Sequence, residues 1–300
     1  MKILAAVVTH NRCALLRRCL EGIDAQTRTP DDVLVVNNAS TDGTLDMLKK
    51  KGTRFITQEN LGSAGGWHRC IEFALNEGFD AVWLMDDDGF PGVNALEHLE
   101  RALAPGVTCA SSIVVKETSP AEFVFPFPVL NERGLPVICR RVRKLHGVDD
   151  LAAVSPDGTY SFAHFFNGAL IDMNAVRAVG NVDSGFFMFS DEVDYFFRLR
   201  QVGRVCSVLA ARHMHPDVSQ RPYTPAKVYY YLKNTLVLNR RYFDWAWVRH
   251  GLAVAAVLMR TAQRNGLGEA LSYVVGKRAP VFYSAISRGL ACKVGKDFNA

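Results

Sequence analysis

Short apolar runs alternate with stretches of helical spacing over the first hundred positions of the chain. Ile3–Thr9 is a β-rich run, and Leu15, Leu16, Cys19, Leu20 and Ile23 recur at the interval that predicts a helix over 13–24. Asp32–Val36 is a second apolar run, ending in the polar cluster NNASTDGT. The pattern then predicts a short helix over 44–51, a short strand over 54–57 and a helix over 64–77 entered through glycines. A buried strand over 81–85 follows and stops at three aspartates. Repeated βα units of this length imply an α/β fold, a mostly parallel Rossmann-like sheet flanked by helices, because right-handed crossovers join parallel neighbours. Ligands of such sheets sit outside the carboxyl ends of the strands, where the polar clusters fall.

After a helix over 94–103 and a strand over 111–115, residues 117–157 mix Pro, Gly and charges. They read as a long insertion with a hairpin around Asn131–Gly134. Regularity returns with a strand over 168–173, a helix over 174–179, a loop at 183–185, a helix over 191–202 and a strand over 205–210. Beyond Pro216 the pattern is helical, broken at Gly251, Gly266–Gly268 and Pro280. The chain therefore divides into a sheet domain over 1–215 and a helical region over 216–300.

Composition changes this picture little. Of the 300 residues 49% are hydrophobic and 22% charged, which excludes disordered and fibrous classes. Seven cysteines (Cys13, Cys19, Cys70, Cys109, Cys139, Cys206 and Cys292) form no CxxC pair, which suits reduced, mostly buried thiols better than disulfides or a zinc site. The opening MKILAAVVTHNR reads as a first strand rather than a signal peptide, so a cytoplasmic protein is expected. Charge is uneven: residues 240–300 hold ten Lys/Arg against three Asp/Glu, a surplus of seven in a chain of net charge +5. Phe243, Trp245, Trp247, Tyr273, Phe282 and Tyr283 are interleaved with them, a composition that fits an anionic membrane surface, a nucleic acid or a solvated helical face. The longest clean apolar stretch there, Gly251–Met259, is nine residues, against about 20 for a span.

Five groups of residues could carry chemistry. In WLMDDDG the carboxylates of Asp86, Asp87 and Asp88 repel one another, and a cation is the simplest remedy. In a strand-like stretch the first and third face one way, so Asp86 and Asp88 can share Mg²⁺ or Mn²⁺ while Asp87 points elsewhere; a solvated helix cap is the competing reading. In NLGSAGG the glycines Gly62, Gly65 and Gly66, after Asn60, let backbone N–H groups approach a phosphate or sugar. The match to neither GxGxxG nor the P-loop disfavours a dinucleotide fold or a P-loop kinase. Thr9, Asn11 and Arg12, with Asn38 and Asp42, offer polar groups for a nucleoside; simple capping by Ser40 or Asp42 competes. Asp191, Glu192 and Asp194 open a helix, more acid than capping needs, and one carboxylate could be a general base. Spacing alone leaves His213 and His215 open as metal ligands or structural residues.

In this order the motifs VVTHNR, VVNNASTDGT, NLGSAGG, MDDDG and SDEVDYFFRLR resemble family 2 glycosyltransferases of the GT-A fold, over residues 1 to about 240. NLGSAGGW followed by LMDDDG is most similar to the galactofuranosyltransferases and their rhamnosyltransferase relatives. The resemblance implies Asp86, Asp88 and His213 as metal ligands, since the family's His precedes a Met-like position as in His213-Met214. Asp87 then faces the donor sugar or a backbone partner. Alignment on Tyr195 and Arg198 places the family's base on Glu192; the usual base is Asp, which keeps Asp191 as an alternative. FNGALI resembles the acceptor-side segment, implying Asn167 and Gly168 there, with Asp194. YYYLKNTLVLNR also recurs in these relatives.

The resemblance implies an inverting, Mn²⁺- or Mg²⁺-dependent transfer from a nucleotide sugar, UDP-galactofuranose or dTDP-rhamnose, to a glycan or lipid-linked acceptor in cell-surface polysaccharide synthesis. It also implies no nucleic-acid partner, and peripheral attachment of the basic C-terminal region to the inner membrane face. A nucleotidyltransferase has no use for the acidic helix start, and a non-catalytic sugar-binding protein would lack one of the site residues.

Overall fold

The computed structural model describes residues 1–138, 141–219 and 221–298; Cys139 lies outside them. The elements are β1 (Ile3–Thr9), α1 (Cys13–Asp24), β2 (Asp32–Asn38), α2 (Thr44–Lys51), β3 (Arg54–Gln58), α3 (Gly62–Asn76), β4 (Ala81–Asp86), β5 (Phe90–Pro91), α4 (Ala95–Ala102), β6 (Val107–Lys116) and β7 (Ser119–Pro128). They continue with β8 (Lys144–Gly147), α5 (Val148–Ala153), β9 (Thr159–Tyr160), β10 (Asn167–Asp172), α6 (Met173–Val179), α7 (Asp191–Leu199), β11 (Arg204–His215), α8 (Pro225–Tyr242), α9 (Ala246–Asn265), α10 (Leu267–Val275) and α11 (Ala279–Leu290). The chain forms two compact units. The first comprises Met1–Asn60, Gly66–Val182 and Tyr195–Asp217; the second comprises Leu61–Gly65, Asp183–Asp194 and the chain from Val218.

The first unit is built on a sheet of order β3-β2-β1-β4-β10-β6-β11-β5. β1 is parallel to β2 and β4, β2 to β3, and β6 to β11, while β10 runs antiparallel between β4 and β6. β1 is buried along its whole length, the mark of a central parallel strand covered on both faces. Its odd positions Ile3, Ala5 and Val7 share a core with Leu16, Leu20 and Ile23 of α1 and Leu96 and Leu99 of α4. On the opposite face α3 approaches so closely that a Cβ on Gly66 would overlap the methyls of Val8. Register pairs Val8 with Asp86, so β1 and β4 release their polar clusters side by side.

Three differences from the sequence-based expectations have physical reasons. Residues 117–157 are more regular than a loose insertion, because β7 pairs with β6 and β8 and buries Phe123, Phe127 and Leu145 against Ile113 and Val115. The hairpin at Asn131–Gly134 is present: Asn131 Oδ1 accepts from the N–H groups of Arg133 and Leu135, each at 3.0 Å. β11 continues past residue 210 to His215, so both histidines lie within the strand. A register shift against β6 between Val208 and Arg212 interrupts the alternation that would have revealed this. Gly251 lies inside α9 rather than breaking it, at an exposed position where an interior glycine costs about 1 kcal/mol. Gly266, at φ 93, does end α9, and Pro280 sits in the first turn of α11.

In the second unit, Tyr230, Leu236, Val257, Tyr273 and Phe282 form a core joined by Phe187 and Phe189. Among the described residues no helix is long and apolar enough to cross a membrane.

His164 of the first unit packs among the rings of Phe125, Phe127 and Phe162, and this burial lowers its imidazole to about 4. The unfolded chain takes up that proton near pH 6.5, the folded protein only near 4. Stability present above the unfolded value is therefore lost as pH falls toward the folded one, by about 1–2 kcal/mol once partial exposure is allowed for. Urea denaturation at about pH 7 and about pH 5 should show a smaller pH dependence in His164→Phe than in the parent. An unchanged dependence would remove His164 as its source.

Candidate active site

β4 ends at Asp86, and Asp87 and Asp88 occupy the turn that follows. Strand alternation therefore does not set their directions, contrary to the expectation for a strand-like triplet. Arg12, just beyond β1, does. Its Nη1 lies 2.9 Å from Asp87 Oδ1 and 3.1 Å from Asp88 Oδ2. Thr9 Oγ1 donates to Asp87 Oδ2 at 2.7 Å, and His215 Nε2 stands 2.9 Å from Asp88 Oδ1. Asp87 and Asp88 are almost fully buried. Burial pushes the Asp87 carboxyl up while Arg12 and Thr9 oppose it, and the aspartates in turn hold Arg12 firmly protonated.

The two histidines differ in environment. His215 bonds Asp88 and the carbonyl of Pro216, so the structure brings it, and not His213, into direct contact with the triplet. His213 is fully buried and both its ring nitrogens lack a hydrogen-bond partner. Burial lowers it to about 3, with His215 adding to the effect and Asp88 opposing it, so the ring is neutral with a lone pair available. It is wedged between two glycines. A Cβ on Gly89 would overlap Nε2, and a Cβ on Gly168, at φ 88, would come 2.8 Å from Ser112 Oγ and 3.4 Å from His213 Nδ1. Asn167, beside Gly168, is buried with its Oδ1 unpartnered. The backbone turns into β10 through Phe166, whose carbonyl accepts from the Asp86 N–H at 2.8 Å and whose ring stacks on Trp67.

The remaining donor-side residues gather in part. Asn11, at φ 54, accepts from the Thr41 N–H at 2.7 Å and donates its own N–H to Ser40 Oγ. Asn38 Oδ1 accepts from Gln58. Asp42 accepts from the N–H groups of Cys13 and Thr44 and from the Thr44 hydroxyl, bonds that lower its carboxyl and tie the start of α1 to that of α2. This is the capping chemistry that competed with nucleoside binding. Asn60 is half-buried before α3, and a Cβ on Gly65 would overlap Leu61.

In the second unit the acidic helix start follows a contorted turn. Phe187, Phe189 and Ser190 all have positive φ, at 63, 61 and 73°, a conformation costing about 1–3 kcal/mol for each non-glycine residue. Gly62 packs so tightly on Phe187 that a Cβ would overlap its carbonyl, and the Ala64 N–H donates to that oxygen at 3.2 Å. Asp191 is buried and Glu192 half-buried. Burial pushes the Glu192 carboxyl up, opposed by hydrogen bonds from its own and the Ser190 backbone and from Asp191. That direction suits a general base. Asp194 Oδ1 accepts from Arg241 Nη1 at 3.0 Å and from the Tyr242 hydroxyl at 2.7 Å, which anchors it to α8.

A neutral buried imidazole without partners beside hard carboxylates is the donor chemistry a divalent cation takes. Among the described residues no three such side chains already converge on one point, and Arg12 and His215 hold the Asp88 oxygens. Sequence reasoning missed Gly89, whose bare Cα admits His213, and the part played by Arg12 as counter-charge. The acidic run beside a strand-terminal Arg was the available signal for the second.

Gly89→Ala should displace the His213 ring and cost about 1–3 kcal/mol of stability by overpacking. Chemical denaturation measures it, and an unchanged midpoint would mean the ring moves freely.

A model of the family described as Glycosyl transferase family 2 matches residues 5–125. Galactofuranosyltransferase GlfT1 of Mycolicibacterium smegmatis is 32% identical over 220 residues, covering 71% of this chain and 70% of its own. The GlfT1 of Mycobacterium tuberculosis is 31% identical over 286 residues, covering 83% and 87%. Among solved structures, the mannosyltransferase PcManGT of Pyrobaculum calidifontis, in complex with GDP-Man and Mn²⁺, superposes with a TM-score of 0.56 at 16% identity, over 96% of this chain and 87% of that one. That likeness is one of fold and agrees with the expected GT-A architecture. With two galactofuranosyltransferases above 30% identity matched over most of their length, the chain belongs to glycosyl transferase family 2 and is a glycosyltransferase.

Proposed function

We propose that the chain catalyses an inverting transfer from a nucleoside-diphosphate sugar to a glycan or lipid-linked acceptor in cell-surface polysaccharide synthesis. The observation that carries the reading is the buried cluster of Thr9, Asp87, Asp88, His213 and His215, closed by the more exposed Arg12, where β1 and β4 end. Strand ends of this kind are where α/β sheets take nucleotides. UDP-galactofuranose is the first donor to try, because the relatives are named galactofuranosyltransferases; dTDP-rhamnose is the second. Residues 1–215 would form the donor-binding and catalytic domain and 216–300 the helical region.

Asp86, Asp88 and His213 would hold a divalent cation, Mn²⁺ or Mg²⁺, which when bound supplies positive charge for the departing diphosphate. Thr9, Asn11, Arg12, Asn38 and Asp42, with Asn60 and the glycines of NLGSAGG, would line the donor side, and Asn167, Gly168 and Asp194 the acceptor side. Glu192 takes the proton from the acceptor hydroxyl as its oxygen attacks the anomeric carbon and the bond to diphosphate breaks. The raised Glu192 carboxyl supports that role, and Asp191 is the second candidate. A nucleotidyltransferase is not favoured by the family.

The helical region would rest on the inner face of a cytoplasmic membrane. Between residues 245 and 283 nine large apolar side chains are exposed, Trp245 at 71% and Trp247 at 80% among them. The surplus of seven positive charges in residues 240–300 complements anionic headgroups.

Incubation with a panel of nucleotide sugars, read by mass-spectrometric detection of nucleoside diphosphate, identifies the donor. With it, Glu192→Ala should lower kcat by about 10³-fold while sparing the donor KM. Retained turnover would move the base to Asp191. Asp88→Ala should abolish the metal-dependent part of donor affinity, and unchanged affinity would sink the metal assignment. The parent should also co-sediment with phosphatidylglycerol vesicles more than with neutral ones, and bind the former more weakly in Trp245→Ser/Trp247→Ser. Equal sedimentation of parent and double variant would refute the membrane reading.

A further inference from the structure

The stretch YYYLKNTLVLNR folds as most of α8, and one stripe of that helix addresses the turn before the acidic helix. Tyr230, Asn234 and Arg241 are spaced four and seven residues apart, which places them on one face. Each meets a different part of residues 183–194. The Tyr230 ring packs on Phe187 with centroids 5.0 Å apart, and Arg241 bonds Asp194 while its guanidinium lies over the Phe186 ring.

Asn234 does something neither neighbour does. Its Nδ2 lies 3.0 Å from the carbonyl oxygen of Phe186, 2.9 Å from that of Met188 and 3.0 Å from that of Phe189. An amide has two hydrogens, so three acceptors mean that one hydrogen is shared. These carbonyls flank Phe187, Phe189 and Ser190, the three residues with left-handed backbone. On another side the turn is gripped at the Phe187 carbonyl by the Ala64 N–H and by the bare Gly62. Strain of this density persists only where surrounding groups over-determine it, and it concentrates at functional sites. Asn234 itself is fully buried. An apolar residue would fill the volume equally well, so its polarity serves the three carbonyls.

We propose that Asn234 is a positioning residue for the transfer reaction: by gathering the carbonyls of Phe186, Met188 and Phe189 it fixes the strained turn that aims Glu192. This rests on the reading of Glu192 as base. Asn234 touches no substrate in this account and acts only through the backbone from which α7 starts. Lys233, the neighbouring residue, faces elsewhere and bonds Gly295 and Asp297, so the two polar residues at the middle of α8 have separate tasks.

Asn234→Asp keeps the shape and replaces the donor with a carboxylate oxygen that faces three carbonyls; Asn234→Ala removes the donor without adding charge. Should the first fail to fold, the second carries the test. Either variant should lower kcat by about 100-fold and leave the donor KM within about threefold. Amide exchange should accelerate at residues 186–194. The deciding measurement is the combination with Glu192→Gln, in which the Asn234 substitution should lower turnover no further, since a misaimed base and an absent one are equivalent. Losses that multiply, or a kcat equal to the parent's, would overturn the role of Asn234 and leave Glu192 standing. Full activity in Glu192→Gln alone would instead defeat the base assignment, and with it the aim proposed for Asn234.

Discussion

Everything at the sheet end of this protein depends on making three consecutive carboxylates tolerable. Two like charges about 4 Å apart repel by about 4 kcal/mol at the effective dielectric of a protein surface, and more where solvent is excluded. Asp87 and Asp88 are both under 5% exposed, so water cannot relieve them. The counter-charge comes from Arg12, and the geometry that delivers it is the parallel pairing of β1 with β4, which brings Val8 level with Asp86. Had β1 been two places away in the sheet, Arg12 could not bridge the pair. The central strand order and the electrostatics of the site are thus one constraint.

A second constraint is steric and falls on glycines. The turn after Asp88 carries Gly89 because the His213 ring passes where a Cβ would be, and Gly168 opens the other side of the same ring. The buried imidazole is held without hydrogen bonds to either nitrogen, so packing alone fixes it. In the second unit the acidic helix start is held the opposite way, by polar contacts made to backbone oxygens and to Asp194. Packing suits a ring that must keep its lone pairs available; hydrogen bonds suit a turn whose dihedrals are unfavourable by themselves.

Much of the fold was legible because it rests on local periodicity. The run Ile3–Thr9 and the spacing of Leu16, Cys19, Leu20 and Ile23 specify β1 and α1 without reference to anything distant. The sequence also located the chemistry, since three adjacent aspartates after a buried strand have few uses. What it could not supply was partners. Strand alternation does not orient Asp86 and Asp88 because β4 ends at Asp86, two residues short of Asp88, and where a strand stops is decided by its neighbours. β11 is longer than its pattern suggests for a similar reason: its irregular register against β6 between Val208 and Arg212 breaks the pattern just before the histidines.

Glycines mark the boundary of what a sequence can say. The glycines of NLGSAGG suggest a loop bare enough for a phosphate or sugar to approach, and a missing Cβ is what such an approach requires. Yet a carbonyl, a methyl and a ligand oxygen make the same demand. At Gly62 the group in that space is the Phe187 carbonyl, and at Gly66 it is the side chain of Val8. The first joins the glycine motif to the turn before the acidic helix; the second joins α3 to the central strand. Both positions would look identical in a sequence to a purely ligand-binding glycine. Telling them apart takes the identity of the neighbouring atom, which only the folded arrangement of distant segments provides.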